Sequence, residues 1–571
     1  MLLALPPLMD VQDIEKGQKG HCLTVFEGDV IEPFDFVVKG VMNNYLGPNR
    51  PLTLVKLLGE KPEFTGVVSG MSGSPCFIGE RLIGALGYAF ASFAKEPIAG
   101  ITPISDMLAV FDTKSPPVPW TSEALKQSRH RWAQFEAQEF QALRGGDSDD
   151  SIGLVAIATP LAMSGVPKAV QAHFTPWFNH MGFEVGASAG TPKDKMLEKS
   201  MAPGAPVTAV LVRGDVDIGA VGTVTTVDKN KITAFGHPFM GKGNIEIPFA
   251  HSTILNTMVS QRRSFKMAAT GRSIGVLTQD RLPAIAGELG REVSMIPVTG
   301  TIRTPQGIDK VGFEVVRDPA LTPRLLTIAI SSALGGRIDA SQRMMIRMDG
   351  AIELEGYGAI PLKRVYGAEL NGQLPMIAGM EFGRMASFLW NNPGEWPKGM
   401  RITFDATFDY EPIIEKITKL SVYPLRPRPG EVLRVRLTMK RSRGKEFTES
   451  VEFKVPSKWA GRKMLIRASG ANDLNFVELI GAAGTLETLG AAVPWLQNLR
   501  AGGSVYVLVT GIQEGGWING RHYSIPPSFG KIIESKLNGA RKHFRDEKVQ
   551  VIQRPGLVVD SRCVEVNVAP Y

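Results

Sequence analysis

The sequence predicts a mainly β protein: two β-barrel units with helical insertions, followed by a β-sandwich-like C-terminal domain. Three observations carry this. Short β-branched runs alternate apolar and polar residues, as in Val432–Met439. The 61 glycines and 39 prolines fall between such runs, where tight turns need them. With 571 residues, 43% apolar and 21% charged, the chain can bury several cores and is not a disordered one.

Taken in order, residues 1–112 read as a first barrel unit, with paired strands over Leu23–Phe26, Val30–Val38 and Leu52–Leu58. Residues 113–205 change character: a proline-rich start, a helical pattern over Ser122–Arg144 and a second helix near Pro167–Met181. Strands resume at Val207–Val212 and define a second barrel unit over 206–305. In it, Gly241–Glu246 reads as a flexible loop. Residues 306–415 mix strands with at least one helix. Residues 416–571 read as a sandwich-like accessory or docking domain with helices near Asn475–Leu489 and Trp495–Leu499.

Composition narrows the function classes. The net charge of +8 is dispersed, and no basic tract with interleaved aromatics stands out, so neither nucleic acid nor a membrane surface is expected as a partner. Cys22, Cys76 and Cys563 form no C-x-x-C pair, which argues against structural zinc, and no cofactor is expected. Cys22 and Cys76 lie in one unit and could meet there. The apolar opening MLLALPPLM reads either as the tail of a signal peptide or as an N-terminal strand.

The chemistry concentrates at Gly70-Met71-Ser72-Gly73-Ser74-Pro75, between the apolar run Val67-Val68 and a strand hairpin through Gly79-Glu80. A turn so rich in glycine can aim two backbone amides, those of Gly70 and Ser72, at one point, as an oxyanion hole requires. Most small-residue turns with a serine are only turns. The α/β-hydrolase elbow does not fit, because Ser74 stands where a glycine is needed. The pattern G-x-S-G-x-P does fit the nucleophile turn of trypsin-like two-barrel peptidases. Such a serine needs a base, and His237 is held between Gly236 and Pro238 at the end of the strand Ile232–Phe235. Most histidines are surface or core groups, and His237 stands out from the chain's eight by this context.

The segments HCLTVFEGDVIEPFDFVVKGV, GVVSGMSGSPCFIGERLIGAL, GTVTTVDKNKITAFGHPF and SIGVLTQDRLPAIAGELG resemble the SpoIVB-type serine peptidases over roughly residues 20–300. The resemblance implies a trypsin-like two-barrel peptidase acting outside the cytoplasm, periplasmic or otherwise exported, on protein substrates. Ser72 would be the nucleophile and His237 the general base. In the sporulation peptidase the histidine segment comes first, so this chain looks permuted. The acid of that family precedes its GMSGSP, where this chain has Leu57-Leu58-Gly59-Glu60, which leaves Asp280, Glu60 and Asp228 as candidates for the third member. Asp280-Arg281 also reads as a plain surface ion pair. No PDZ domain is recognised, so the C-terminal domain could dock an envelope partner. The strands around Ala85–Phe90 would wall an apolar specificity pocket. The rival reading is a catalytically inactive peptidase-fold scaffold.

Overall fold

The computed structural model describes residues 5–90, 95–113, 153–187, 201–261, 263–336, 343–368, 374–390, 396–442, 444–482, 488–518, 521–524 and 543–570. The helical pattern expected over Ser122–Arg144 lies outside them. The fold is mainly β, and the chain divides into two compact units. The first comprises the described residues up to Ile296 together with Gly312–Gly336. The second takes Pro297–Val311 and the remainder from 343 onward.

In the first unit, strands β1 (Lys19–Val25), β2 (Ile31–Gly47), β3 (Arg50–Leu58), β4 (Pro75–Ile78), β5 (Arg81–Phe90) and β6 (Ile98–Pro103) pair in the order β4-β1-β2-β3-β6-β5. A β4–β5 pairing closes the ring, giving a six-stranded β-barrel. Alternation explains the closure. In β1 and β2 the residues Cys22, Phe34, Phe36 and Val38 point inward and are buried with Val55, Leu57, Ile83 and Leu86. Cys22 and Cys76 sit opposite each other on β1 and β4 and form a disulfide.

The strands that follow are β7 (Leu154–Ala156), β8 (Thr159–Ser164), β9 (Phe183–Ala187), β10 (Pro206–Gly214), β11 (Asp217–Asp228), β12 (Lys231–Ala234), β13 (Gly243–Met258), β14 (Phe265–Arg281) and β15 (Ala284–Leu289). β7 adds to β5 at the edge of the barrel. Pairings then run β10-β13-β14-β15-β12-β11, and β11 pairs back onto β10. β8 continues from β11, with β9 parallel beside it. β13 begins at Gly243, so the stretch expected as a loop at Gly241–Glu246 is mostly strand, paired at Gly243↔Asp280 and Asn244↔Gln279. The helix Lys168–His180 matches its expected span, and the helix Thr322–Gly335 is almost wholly buried.

In the second unit, strands Met344–Leu354, Gly358–Ala368, Arg401–Asp409 and Ile296–Thr304 form one sheet section. Further on, a four-stranded sheet and a five-stranded sheet share one apolar core, in which Leu433, Val435 and Leu437 meet Met464, Ile466, Val505 and Val507.

Candidate active site

The Gly70–Ser74 turn leaves a short helix, Glu60–Thr65, and enters β4. Gly70 and Gly73 both have positive φ, +98° and +97°, a conformation glycine adopts without cost. Threonines of β11 stitch the turn down. Thr223 and Thr225, two apart and therefore on one face, donate their hydroxyls to the carbonyls of Gly70 (2.8 Å) and Gly73 (2.7 Å). The Thr223 amide donates to the Ser72 carbonyl at 2.8 Å. The sequence GTVTTV therefore builds a clamp for the serine turn as well as a strand.

The same packing brings in the histidine. β12 ends at Ala234, and Phe235 and Gly236 follow with φ of +72° and +67°. Left-handed backbone at a bulky buried residue is strained, and strain of this kind collects at functional sites. It swings the chain so that His237 leaves the strand beside the turn. Gly73 lies so close that a Cβ there would stand 1.9 Å from the Thr223 carbonyl oxygen and 2.5 Å from the Phe235 nitrogen. A Cβ on Gly87 would stand 2.2 Å from the Gly236 carbonyl oxygen. Ser72 and His237, distant in sequence, are thus carried on two loops in direct backbone contact.

Both side chains are buried: Ser72 is 0% exposed and His237 2%. Among the described residues Ser72 Oγ and His237 Nε2 have no hydrogen-bond partner, so they are not bonded to each other. The amides of Gly70 and Ser72 donate to no acceptor among the described residues. His237 Nδ1 lies 2.8 Å from the Pro238 carbonyl oxygen. That oxygen only accepts, so Nδ1 carries the proton and Nε2 presents a lone pair. Burial pushes the imidazole pKa down to about 4, against a smaller upward pull from the Pro238 carbonyl, so the ring is neutral at pH 7.

Asp280 is fully buried on β14, but it does not hold the imidazole. Its Oδ1 accepts from the Phe239 amide (2.8 Å) and its Oδ2 from those of Met240 (2.8 Å) and Lys242 (3.1 Å). It bonds neither nitrogen of His237 in this structure, and at 0% exposure it is no surface ion pair. It fixes the loop that follows His237. Glu60 begins the short helix before the serine turn and is exposed, and Asp228 closes β11 at a turn. Neither bonds His237, whose tautomer is set by a main-chain carbonyl that no side-chain motif announces.

Behind the turn, Lys266 is buried at 2% exposure, and its Nζ donates to Thr24 Oγ1 at 2.7 Å. Desolvation lowers its pKa to about 7. Its stem packs at the Gly70 backbone, 3.2 Å from where a Cβ would stand. Nothing in the sequence singles this lysine out.

A cleft of about 720 Å³ borders the histidine loop. His237 and the loop through Lys242 form one wall, the end of the helix Lys168–His180 another, and Ala320, Leu321 and Arg324 a third. The stretch Ala85–Phe90, expected to wall a specificity pocket, is not part of it. No family model, curated protein or solved structure matches this chain.

Proposed function

We propose that the chain is a serine endopeptidase in which Ser72 is the nucleophile and His237 the general base. The observation that carries this reading is the pair of buried, unpartnered atoms, Ser72 Oγ and His237 Nε2, on two interlocked loops. Native proteins rarely leave a buried hydroxyl and a buried ring nitrogen unsatisfied without a use for them. The likeness of GMSGSP and AFGH to the SpoIVB-type peptidases supports the same roles. So does the pairing pattern of the first unit, which we read as two trypsin-like barrels. We read the two C-terminal sheets with their shared core as a sandwich-like accessory domain that docks an envelope partner.

In the proposed reaction Ser72 Oγ attacks a peptide carbonyl carbon while its proton passes to His237 Nε2. The carbonyl oxygen takes the negative charge and is held by the amides of Gly70 and Ser72. The imidazolium then gives the proton to the leaving amine, and water repeats the sequence on the acyl-enzyme. The Pro238 carbonyl does what a carboxylate does in a triad as far as the tautomer is concerned, but it brings no full negative charge to steady the imidazolium. A dyad of this kind is a weaker catalyst than a full triad. Because Ser72 is shielded from solvent, turnover requires the turn to be uncovered. The Cys22–Cys76 disulfide supports action in an oxidising compartment outside the cytoplasm.

The second reading is a peptidase-fold scaffold without activity. The closed serine and the use of Asp280 as a loop anchor favour it. A fluorophosphonate probe separates the two. Under the peptidase reading wild type is labelled, and Ser72→Ala and His237→Ala lose labelling by about two orders of magnitude or more. Labelling that survives Ser72→Ala sinks the assignment of Ser72 as the nucleophile, and a wild type that never labels favours the scaffold.

A further inference from the structure

We infer that the cleft beside the histidine loop is the specificity pocket of the proposed site, and that it takes one large apolar side chain of a peptide, aromatic or aliphatic. The inference rests on the peptidase reading for the peptide as carrier; the apolar choice follows from the lining of the cleft.

Ile157, Trp177, Met181, Phe239, Met240 and Leu321 bring large apolar side chains to the lining. A volume of about 720 Å³ is that of a pocket able to enclose a ligand, and such pockets draw their affinity mainly from apolar burial. The two methionines can adjust to apolar groups of different shape. Lys242 and Arg324 also line the cleft, and both are engaged within the protein. Lys242 Nζ lies 2.6 Å from Asp318 Oδ1, and the Arg324 guanidinium lies over the Trp177 ring at 4.9 Å. That cover holds the half-buried indole from one face.

The lining is joined to the histidine by a run of rings. From Trp177, contacts pass to Phe178 (4.6 Å between centroids), Phe183 (6.3 Å), Phe239 (5.0 Å), Phe235 (5.9 Å) and His237 (5.9 Å). The four phenylalanines are all buried. Tilted and edge-to-face pairs of this kind fix one another's orientation. A wall set before binding leaves little to be ordered when the ligand arrives. Trp177, Phe239 and His237 all line the cleft, so an apolar group seated there rests on the ring stack that ends at the proposed general base. In this account the apolar residue stands within a residue or two of the bond to be cut. Trp177 and Phe239 are specificity residues and take no part in bond making.

The test uses the full chain carrying Ser72→Ala, so that nothing is cleaved, and follows the fluorescence anisotropy of dye-labelled peptides. Four six-residue peptides of glycine and serine with blocked ends are titrated, alike except for one central residue: phenylalanine, leucine, alanine or glutamate. Phenylalanine and leucine are expected to bind about tenfold or more tighter than alanine, and glutamate no tighter than alanine. Ala320 is an exposed residue of the lining, so Ala320→Trp fills the cleft without entering a core. It should reduce the preference to within about twofold, as should Trp177→Ala. Equal affinity for all four peptides, no binding of any, or a preference untouched by Ala320→Trp overturns the inference. The peptide comparison in the parent protein needs no change in the cleft, so a poorly folding variant does not remove the test. Fluorophosphonate labelling at Ser72 is read separately in wild type: labelling without apolar preference sinks this inference alone, and the reverse result sinks the peptidase reading alone.

Discussion

His237 shows how one buried ring couples chemistry to stability. Its pKa is about 4 in the folded chain against an ordinary 6.5, because burial disfavours the charged form. Between those values the unfolded chain binds a proton that the folded chain refuses. Stability from this group is therefore full above about pH 6.5 and is lost as the pH falls toward 4, by at most about 3 kcal/mol. We expect the melting temperature of wild type to drop more than that of His237→Gln between about pH 7.5 and about pH 4.5. Equal drops would show that the ring carries no buried-neutral penalty. At this scale the sequence said much: a histidine between glycine and proline at a strand end, and a serine among small residues. It did not say that Nδ1 would turn to the Pro238 carbonyl, because that choice depends on which acceptors the folded loops leave in reach.

The loop after His237 owes its shape to Asp280. Three backbone N–H groups converge on one carboxyl, and the Phe239 amide among them is buried. Asp280→Asn keeps the size but puts an NH₂ where an acceptor is needed, leaving a donor facing a donor. The expected cost is about 3 kcal/mol, measured as a lower urea midpoint at unchanged slope. A variant within about 1 kcal/mol of wild type would show the loop to be held otherwise. Sequence reading marked Asp280 as worth attention, and the structure has it accept from three loop amides and not from His237. From β14 alone, an acid beside an arginine looks like a surface pair, and only the pairing Gly243↔Asp280 turns it toward the loop. The same holds for the β11 clamp. GTVTTV reads as a strand, and the hydroxyl bonds to Gly70 and Gly73 exist only after β11 passes under the serine turn.

Across the whole chain, two compact units each have apolar cores of their own. Units with cores of their own are expected to unfold as separate cooperative blocks when heated. Scanning calorimetry should accordingly give a van't Hoff enthalpy below the calorimetric one, and a single transition with equal enthalpies would contradict it. The sequence alone determined the mainly β class, most strand positions and the two loops that bear Ser72 and His237, because alternation, glycine turns and strand-end signals are local. It could not determine that the serine turn would meet Phe235 at Gly73 and β5 would meet Gly236 at Gly87, that Asp280 would serve the backbone, or that Arg324 would stack on Trp177. Those facts join segments tens to hundreds of residues apart. They follow from which strands pair and which faces pack, decisions made by burial across the whole fold and carried by no single stretch of chain.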